Sequence, residues 1–245
     1  MCGRFTLKTP AASWTQDFLP LWTAEQVAAF AGEHAIAARY NIAPTQVVSC
    51  IRAGQSQTRD WALMRWGLVP SWATELSIGN RMINARSETV HEKRSFKSAL
   101  GKRRCLIPTD GYFEWMKTES GKQPYWIHAR TGGVLAMAGL WEQNEKLGSA
   151  DRPLETFTVL TVAANETTTA IHDRMPVFLS PGDWEAWLNP RPGDLESMVD
   201  LLRPAANDLL VPRVVSTRVN SPRHDDEQCI EPDDHPAPPG QLDLF

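Results

Sequence analysis

The sequence predicts an α+β protein whose core is a curved, largely antiparallel sheet or open β-barrel, with short helices packed around it. Two observations carry this. Runs of strand length, rich in branched and aromatic residues, recur at 47–52, 58–69, 104–116, 124–130, 134–141 and 157–164. Helix signals lie on either side of them, before residue 38 and after residue 180, so the helices are expected outside a sheet-dominated core.

Each element has a local reason. Residues 11–38 contain an amphipathic segment in which Thr23 and Gln26 have capping-box spacing, so a helix is expected from about residue 24. Ala53-Gly54 separates the first two strand runs and suits a hairpin, and Gly121, Gly132 and Gly133 mark later turns. Pro181 after Ser180 fits the first turn of a helix, a second helix covers 194–202, and a last strand at 211–219 returns the chain to the sheet. After about residue 223 the composition turns to Asp, Glu and Pro. The expected organisation is one domain over 1–222 and a disordered acidic, proline-rich tail over 223–245.

Composition narrows the function. The 245 residues, 42% hydrophobic with ten tryptophans, suffice for one substantial core. No run approaches the ~20 apolar residues of a membrane span, and no basic patch leads into an apolar stretch at the start, so a cytoplasmic protein without membrane contact is expected. Cys2, Cys50, Cys105 and Cys229 form no C-x-x-C pair and have no histidine at ligand spacing, so no disulfide framework, metal or cofactor is expected; Cys50 and Cys105 read as buried, inert thiols. The net charge of −4 argues against a protein that coats nucleic acid indiscriminately, yet it averages two unlike regions. Residues 81–104 carry a net +6, and from Asp183 onward the chain carries a net −8. The basic segment suits a local phosphate surface or, equally, a solvated helix face.

Several residues carry chemistry by type and position. Once Met1 is removed, Cys2 presents an α-amine and a thiol that titrate at roughly 7.7–8.0 and about 8.5, so both are partly nucleophilic near neutrality. The amine condenses with an aldehyde to an imine, and the thiol closes a five-membered thiazolidine on it. Strand alternation in 111–115 puts Tyr112 and Glu114 on one face and Phe113 and Trp115 on the other. A glutamate among rings has the environment of a general acid-base, although most strand glutamates are solvated. His172, in a polar trio between apolar runs, suits proton shuttling or a plain structural hydrogen bond. Asn84 and Arg86, two apart, offer an amide and a guanidinium to one ligand, or make a turn and an ion pair. Trp66 is expected in the core and Trp72, after a proline, on the surface.

Met1-Cys2-Gly3-Arg4-Phe5, Tyr40-Asn41-Ile42-Ala43-Pro44, Trp66-Gly67-Leu68-Val69-Pro70, Asn84-Ala85-Arg86-Ser87-Glu88, Gly111-Tyr112-Phe113-Glu114-Trp115 and Ile171-His172-Asp173-Arg174-Met175-Pro176 occur together and in order. From residue 2 to about 222 the set resembles the abasic-site processing family, also called the SOS-response-associated peptidase family. The resemblance implies removal of Met1, by the protein itself or by another route, and a thiazolidine between Cys2 and the ring-opened deoxyribose of an abasic site in single-stranded DNA. It implies that Glu114 promotes ring opening and proton transfer, that His172 assists imine formation and any strand-cleaving side reaction, and that Asn84 orients the sugar and Cys2. Arg4, Arg86 and Arg94 match positions that hold the DNA backbone. Trp72 matches an aromatic next to the lesion, but where some relatives have two adjacent tryptophans this chain has Trp72-Ala73, which implies a weaker wedge.

The terminal Gln241-Leu242-Asp243-Leu244-Phe245 resembles the peptide with which bacterial repair proteins dock on the sliding clamp, with Gln241, Leu242, Leu244 and Phe245 as contacts on a tether. Two other classes stay open. One is a peptidase acting on other proteins, with Cys2 as nucleophile and His172 as base. The other is a non-covalent binder of single-stranded nucleic acid, whose complexes would not survive denaturation.

Overall fold

The computed structural model describes residues 2–54, 58–119, 121–149, 151–189 and 195–233. Its strands are β1 (Phe5–Leu7), β2 (Arg39–Ile42), β3 (Val47–Ala53), β4 (Arg59–Trp66), β5 (Asn84–Arg86), β6 (Arg104–Thr109), β7 (Gly111–Thr118), β8 (Gly121–Ala129), β9 (Leu135–Asn144), β10 (Leu154–Ala163), β11 (Arg174–Pro176), β12 (Phe178–Leu179) and β13 (Leu210–Val214). The helices are α1 (Ala11–Phe18), α2 (Ala24–Glu33), α3 (Arg94–Lys102), α4 (Trp184–Leu188) and α5 (Leu195–Asp200).

The α+β expectation holds, with the strands in two sheets. In the larger one β10, β4, β3, β6 and β9 pair in turn, and β9 pairs back with β10, closing a five-stranded barrel. All these ladders are antiparallel except β10 with β4. β5 and β11 extend the ladder of β10, and β12 that of β9. The second sheet is antiparallel in the order β13-β8-β7-β1-β2. Closure removes the open edges a flat sheet would expose, and apolar side chains fill the interior. Phe5 meets Trp66 edge-on at 5.1 Å, and Trp66 stacks on Phe157 at 6.2 Å, each fully buried ring stabilising the core by about 1.5–3 kcal/mol.

Local signals explain several element ends. Thr23 and Gln26 close the reciprocal capping box, and α2 begins at Ala24. β3 and β4 form the hairpin around Ala53-Gly54, with Ala53 opposite Arg59. Gly67 leaves β4 at a φ of 114°, and a Cβ there would lie 2.7 Å from the Gly79 carbonyl oxygen. Only glycine permits that crossing, which sends out the loop bearing Trp72 before the chain returns as β5.

Three expectations need correction, and a helix lies in the basic segment, as one of its two readings allowed. The run 104–116 is two strands in different sheets, because Asp110 turns its carboxylate onto the backbone N–H groups of Lys8 and Thr9 and breaks the ladder. α3 lies in the basic segment, burying Phe96, Ala99 and Leu100 on one face at helical spacing. The last strand stops at Val214, and Thr217–Asn220 is a 3-10 turn. The chain also does not leave the domain at 223. Asp225 accepts from the backbone N–H groups of Tyr40 and Asn41 and pairs with Arg39, Asp226 holds Arg218 at 2.6 Å, and Cys229 is fully buried. Acids that read as solvated are therefore matched to cations and amide donors far away in sequence. The proposed clamp contacts at 241–245 lie outside the described residues.

Candidate active site around Cys2

The site forms where the two sheets meet. β1 places residue 5 opposite Tyr112 on β7, and the Phe113 N–H donates to the Arg4 carbonyl at 2.9 Å, so continuing the register brings Gly3 abreast of Glu114. Cys2 is thereby drawn into the core at 1% exposure. From the other sheet, the Asn84 amide on β5 donates to the Cys2 carbonyl at 2.7 Å, while its Oδ1 is buried without a hydrogen-bond partner among the described residues. The structure thus brings Cys2, Asn84 and Glu114 together, and His172 shares a cavity with Glu114. That cavity, of about 490 Å³, is lined by Glu114, Trp115, Lys117, Lys122, His172 and Asn220.

Burial sets the electrostatics. The Glu114 side chain faces inward with Tyr112, as alternation requires, and burial pushes its carboxyl up to about 7. Burial likewise pushes the Cys2 thiol well up, with the neighbouring Glu114 carboxylate adding to it, so the sulfur is a thiol and needs a base to react. The Arg174 backbone N–H donates to His172 Nδ1 at 3.0 Å. Burial lowers the imidazole pKa despite the Asp173 carboxylate 3.0 Å from Nδ1, so the ring is neutral near pH 7 with its proton on Nε2.

Sequence reasoning passed over two residues here. Tyr112 is fully buried, and its hydroxyl pKa is raised by burial and then by Cys2 and Glu114, which places it within electrostatic reach of both. Its shared face with Glu114 was the available signal. Arg174 clamps Glu88 with two hydrogen bonds of 2.6 and 2.9 Å and donates to the Thr161 carbonyl at 2.6 Å, fixing the segment that carries His172. That pairing spans the two halves of the chain and has no local signature.

The candidate DNA contacts divide. Arg86 is exposed at the end of β5, two residues from Asn84, and Arg94 is exposed at the start of α3. Trp72 is 44% exposed, with the Arg94 guanidinium 5.4 Å from its ring centroid, so these two form one surface unit. Arg4 is different: its guanidinium donates at 2.8 Å to both Asn41 Oδ1 and the Val219 carbonyl, so much of its donor capacity is spent inside the protein. The basic segment is not uniformly a surface either. Arg104 is 2% exposed and donates to the Leu100 carbonyl, and Arg103 pairs with Glu142 at 2.7 Å. Cys50 and Cys105 are buried and unbridged, and no cluster of potential metal ligands occurs among the described residues. No helix among those residues is long and apolar enough to cross a membrane.

The chain is 39% identical over 233 residues to the abasic site processing protein YoqW of Bacillus subtilis, covering 94% of this chain and 99% of that one. It is 36% identical over 192 residues to the abasic site processing protein HMCES of Gallus gallus, of which it spans 56%. A crystal structure of a Bacteroides thetaiotaomicron protein superposes with a TM-score of 0.81 at 24% identity, over 95% of this chain and all of that one, and supports the fold. The model of the SOS response associated peptidase (SRAP) family matches residues 1–222, and the chain belongs to that family.

Proposed function

We propose that the protein, once Met1 is removed by the chain itself, captures abasic sites in single-stranded DNA as a thiazolidine at Cys2. The observation that carries this reading is the convergence on Cys2: its carbonyl is held by Asn84, and a carboxyl with a pKa of about 7 lies beside it. A buried acid half-protonated at neutrality gives and takes protons with equal ease, as successive steps of this chemistry require.

The abasic sugar is a hemiacetal. Glu114 in its acid form donates to the ring oxygen while the anomeric hydroxyl loses its proton to neutral His172, exposing the aldehyde. The α-amine adds to that carbon and water leaves, giving an imine. The Cys2 sulfur then adds to the same carbon as its proton passes to the imine nitrogen through Glu114. The net change is one aldehyde, one amine and one thiol converted to a thiazolidine and one water. The free Oδ1 of Asn84 accepts a sugar hydroxyl. If a base instead removes the proton adjacent to the imine carbon, the 3′ phosphate is eliminated, which is the lyase side reaction, and His172 is the group placed for it.

Arg86, Arg94 and Trp72 hold the flanking strand by phosphate contact and stacking. The protein works in the cytoplasm, on the nucleoid when bound to DNA, and residues 241–245 dock it on the sliding clamp. Deleting those five residues should abolish binding to purified clamp if they serve that role.

The test is incubation of Met1-processed protein with single-stranded DNA bearing one abasic site, resolved on a denaturing gel. A shifted band absent with Cys2→Ala and with intact DNA is expected. No band, with Met1 removal verified by mass, would overturn the covalent reading in favour of a reversible binder or a peptidase.

A further inference from the structure

The hairpin of β7 and β8 carries an unexplained charge arrangement at the mouth of the same cavity. Lys117 and Lys122 stand directly opposite each other in the ladder, next to the turn, where Thr118 faces Gly121. Like charges in register across an antiparallel pair destabilise it, because the side chains are only about 4.5–5.5 Å apart at Cβ. No carboxylate relieves them: among the described residues neither lysine forms an ion pair, and Glu119 at the turn bonds to neither. Both side chains are exposed, and both line the cavity of about 490 Å³ that Glu114 and His172 also line.

The topology puts this pair on a different sheet from the proposed arginine contacts. The ladder of β1 with β7 ends at Phe5 opposite Tyr112, with one further bond from the Phe113 N–H to the Arg4 carbonyl, and beyond it the β7 residues Glu114, Trp115 and Lys117 line the cavity. Arg86, Arg94 and Trp72 belong to the barrel side, reached through β5, the loop after Gly67 and α3. The lysines belong to β7 and β8 of the second sheet, the sheet that also carries Glu114. An anion in this cavity meets two ammonium groups within the space that Glu114 and His172 also line.

The geometry points to a phosphate subsite at Lys117 and Lys122 that holds the DNA backbone on the flank of the abasic residue opposite to the flank held by Arg86 and Arg94. The strand then crosses from one sheet to the other over Cys2, and its two flanks are gripped by different sheets. This rests on the proposed action on abasic single strands, and it adds which residues take the second flank.

The test pairs protein variants with truncated DNA. Three oligonucleotides carry the abasic residue at the centre, at the 5′ end or at the 3′ end, and crosslinking is followed against DNA concentration at several salt concentrations. For K117Q/K122Q the half-saturating concentration of the central substrate should rise about tenfold at low salt, and the slope of log affinity against log salt should fall by about 0.7 for each phosphate no longer neutralised. One of the two end-positioned substrates, lacking the flank the lysines hold, should be insensitive to K117Q/K122Q; Arg86→Gln should show the opposite preference. K117R/K122R should restore the central substrate. Equal weakening of both end substrates, or no change with any of the three, would overturn the subsite. The same oligonucleotides with tetrahydrofuran at the lesion cannot form an imine, so their affinity by fluorescence anisotropy reads the phosphate contacts alone. Absent crosslinking with this pattern of binding intact would strike the covalent reading and leave the lysine site standing.

Discussion

The Asn84 amide and the Cys2 carbonyl, 82 residues apart in the chain, are joined by a hydrogen bond of 2.7 Å that ties the second residue to the barrel. This bond holds the Cys2 backbone against β5. Asn84→Ala removes it, and the loss of one such bond, about 1–1.5 kcal/mol, corresponds to roughly a tenfold slower capture. Single-turnover crosslinking measures it, and an unchanged rate would remove Asn84 from the site.

Glu114 predicts a pH dependence with a definite sign. Its carboxyl is raised by burial to about 7 in the folded chain, whereas an unfolded glutamate titrates near 4.3, so the native state binds the extra proton between these values. Stability from this group is fully present below the unfolded pKa and is lost as pH rises through about 7. Glu114→Gln should therefore be more stable than the wild type at pH 8 by on the order of 3 kcal/mol, the difference closing toward pH 4. Urea denaturation at the two pH values reads it. The same substitution should abolish the titration near pH 7 in the capture rate.

His172 acts as a neutral ring whose titration lies below the ordinary imidazole range, because burial opposes its charging. The pH profile of capture by the wild type should accordingly contain an acid-side titration below the ordinary imidazole range, distinct from those of the α-amine and Glu114, and His172→Ala should lose that acid limb. A limb that persists in His172→Ala would assign it to another group.

Tyr112→Phe keeps the ring that packs 6.0 Å from Phe178 and removes only the hydroxyl near Cys2 and Glu114. If the hydroxyl supports the thiol, alkylation of Cys2 by iodoacetamide in the Met1-processed protein should need higher pH in Tyr112→Phe, with thermal stability nearly unaltered. An identical alkylation profile would make Tyr112 a packing residue.

Truncation after Arg223 should destabilise the protein by roughly 2–4 kcal/mol, because the bonds of Asp225 to two backbone amides and to Arg39 are charge-assisted and worth ~1.5–3 kcal/mol. A midpoint equal to that of the full chain would mean these contacts contribute nothing.

What the sequence disclosed follows the range of the forces involved. The capping box at Thr23 and Gln26, the hairpin at Ala53-Gly54 and the shared face of Tyr112 and Glu114 are short-range and were legible. The break at Asp110 depends on Lys8 and Thr9, about a hundred residues earlier, and the order of residues 225–229 depends on Arg39, Tyr40, Asn41 and Arg218. Periodicity and composition carry no trace of such pairings. The same limit explains Arg4, whose position invites a phosphate but whose guanidinium is engaged by Asn41 and Val219. The types and spacing of the central residues were readable, whereas the cavity and its lysine pair became visible only once β7 was placed.

The strand pairing that seats Cys2 also imposes a schedule. Thr6 bonds to Gly111, 105 residues later in the chain, so during synthesis the second residue leaves the ribosome well before its pocket exists. At ~5–20 residues per second the interval is roughly 5–20 s. Through that interval Cys2 lies on a leading segment that has neither the Glu114 carboxyl beside it nor the Asn84 amide on its carbonyl. On the proposed reading, capture assisted by Glu114 and Asn84 is thus open only to the folded chain.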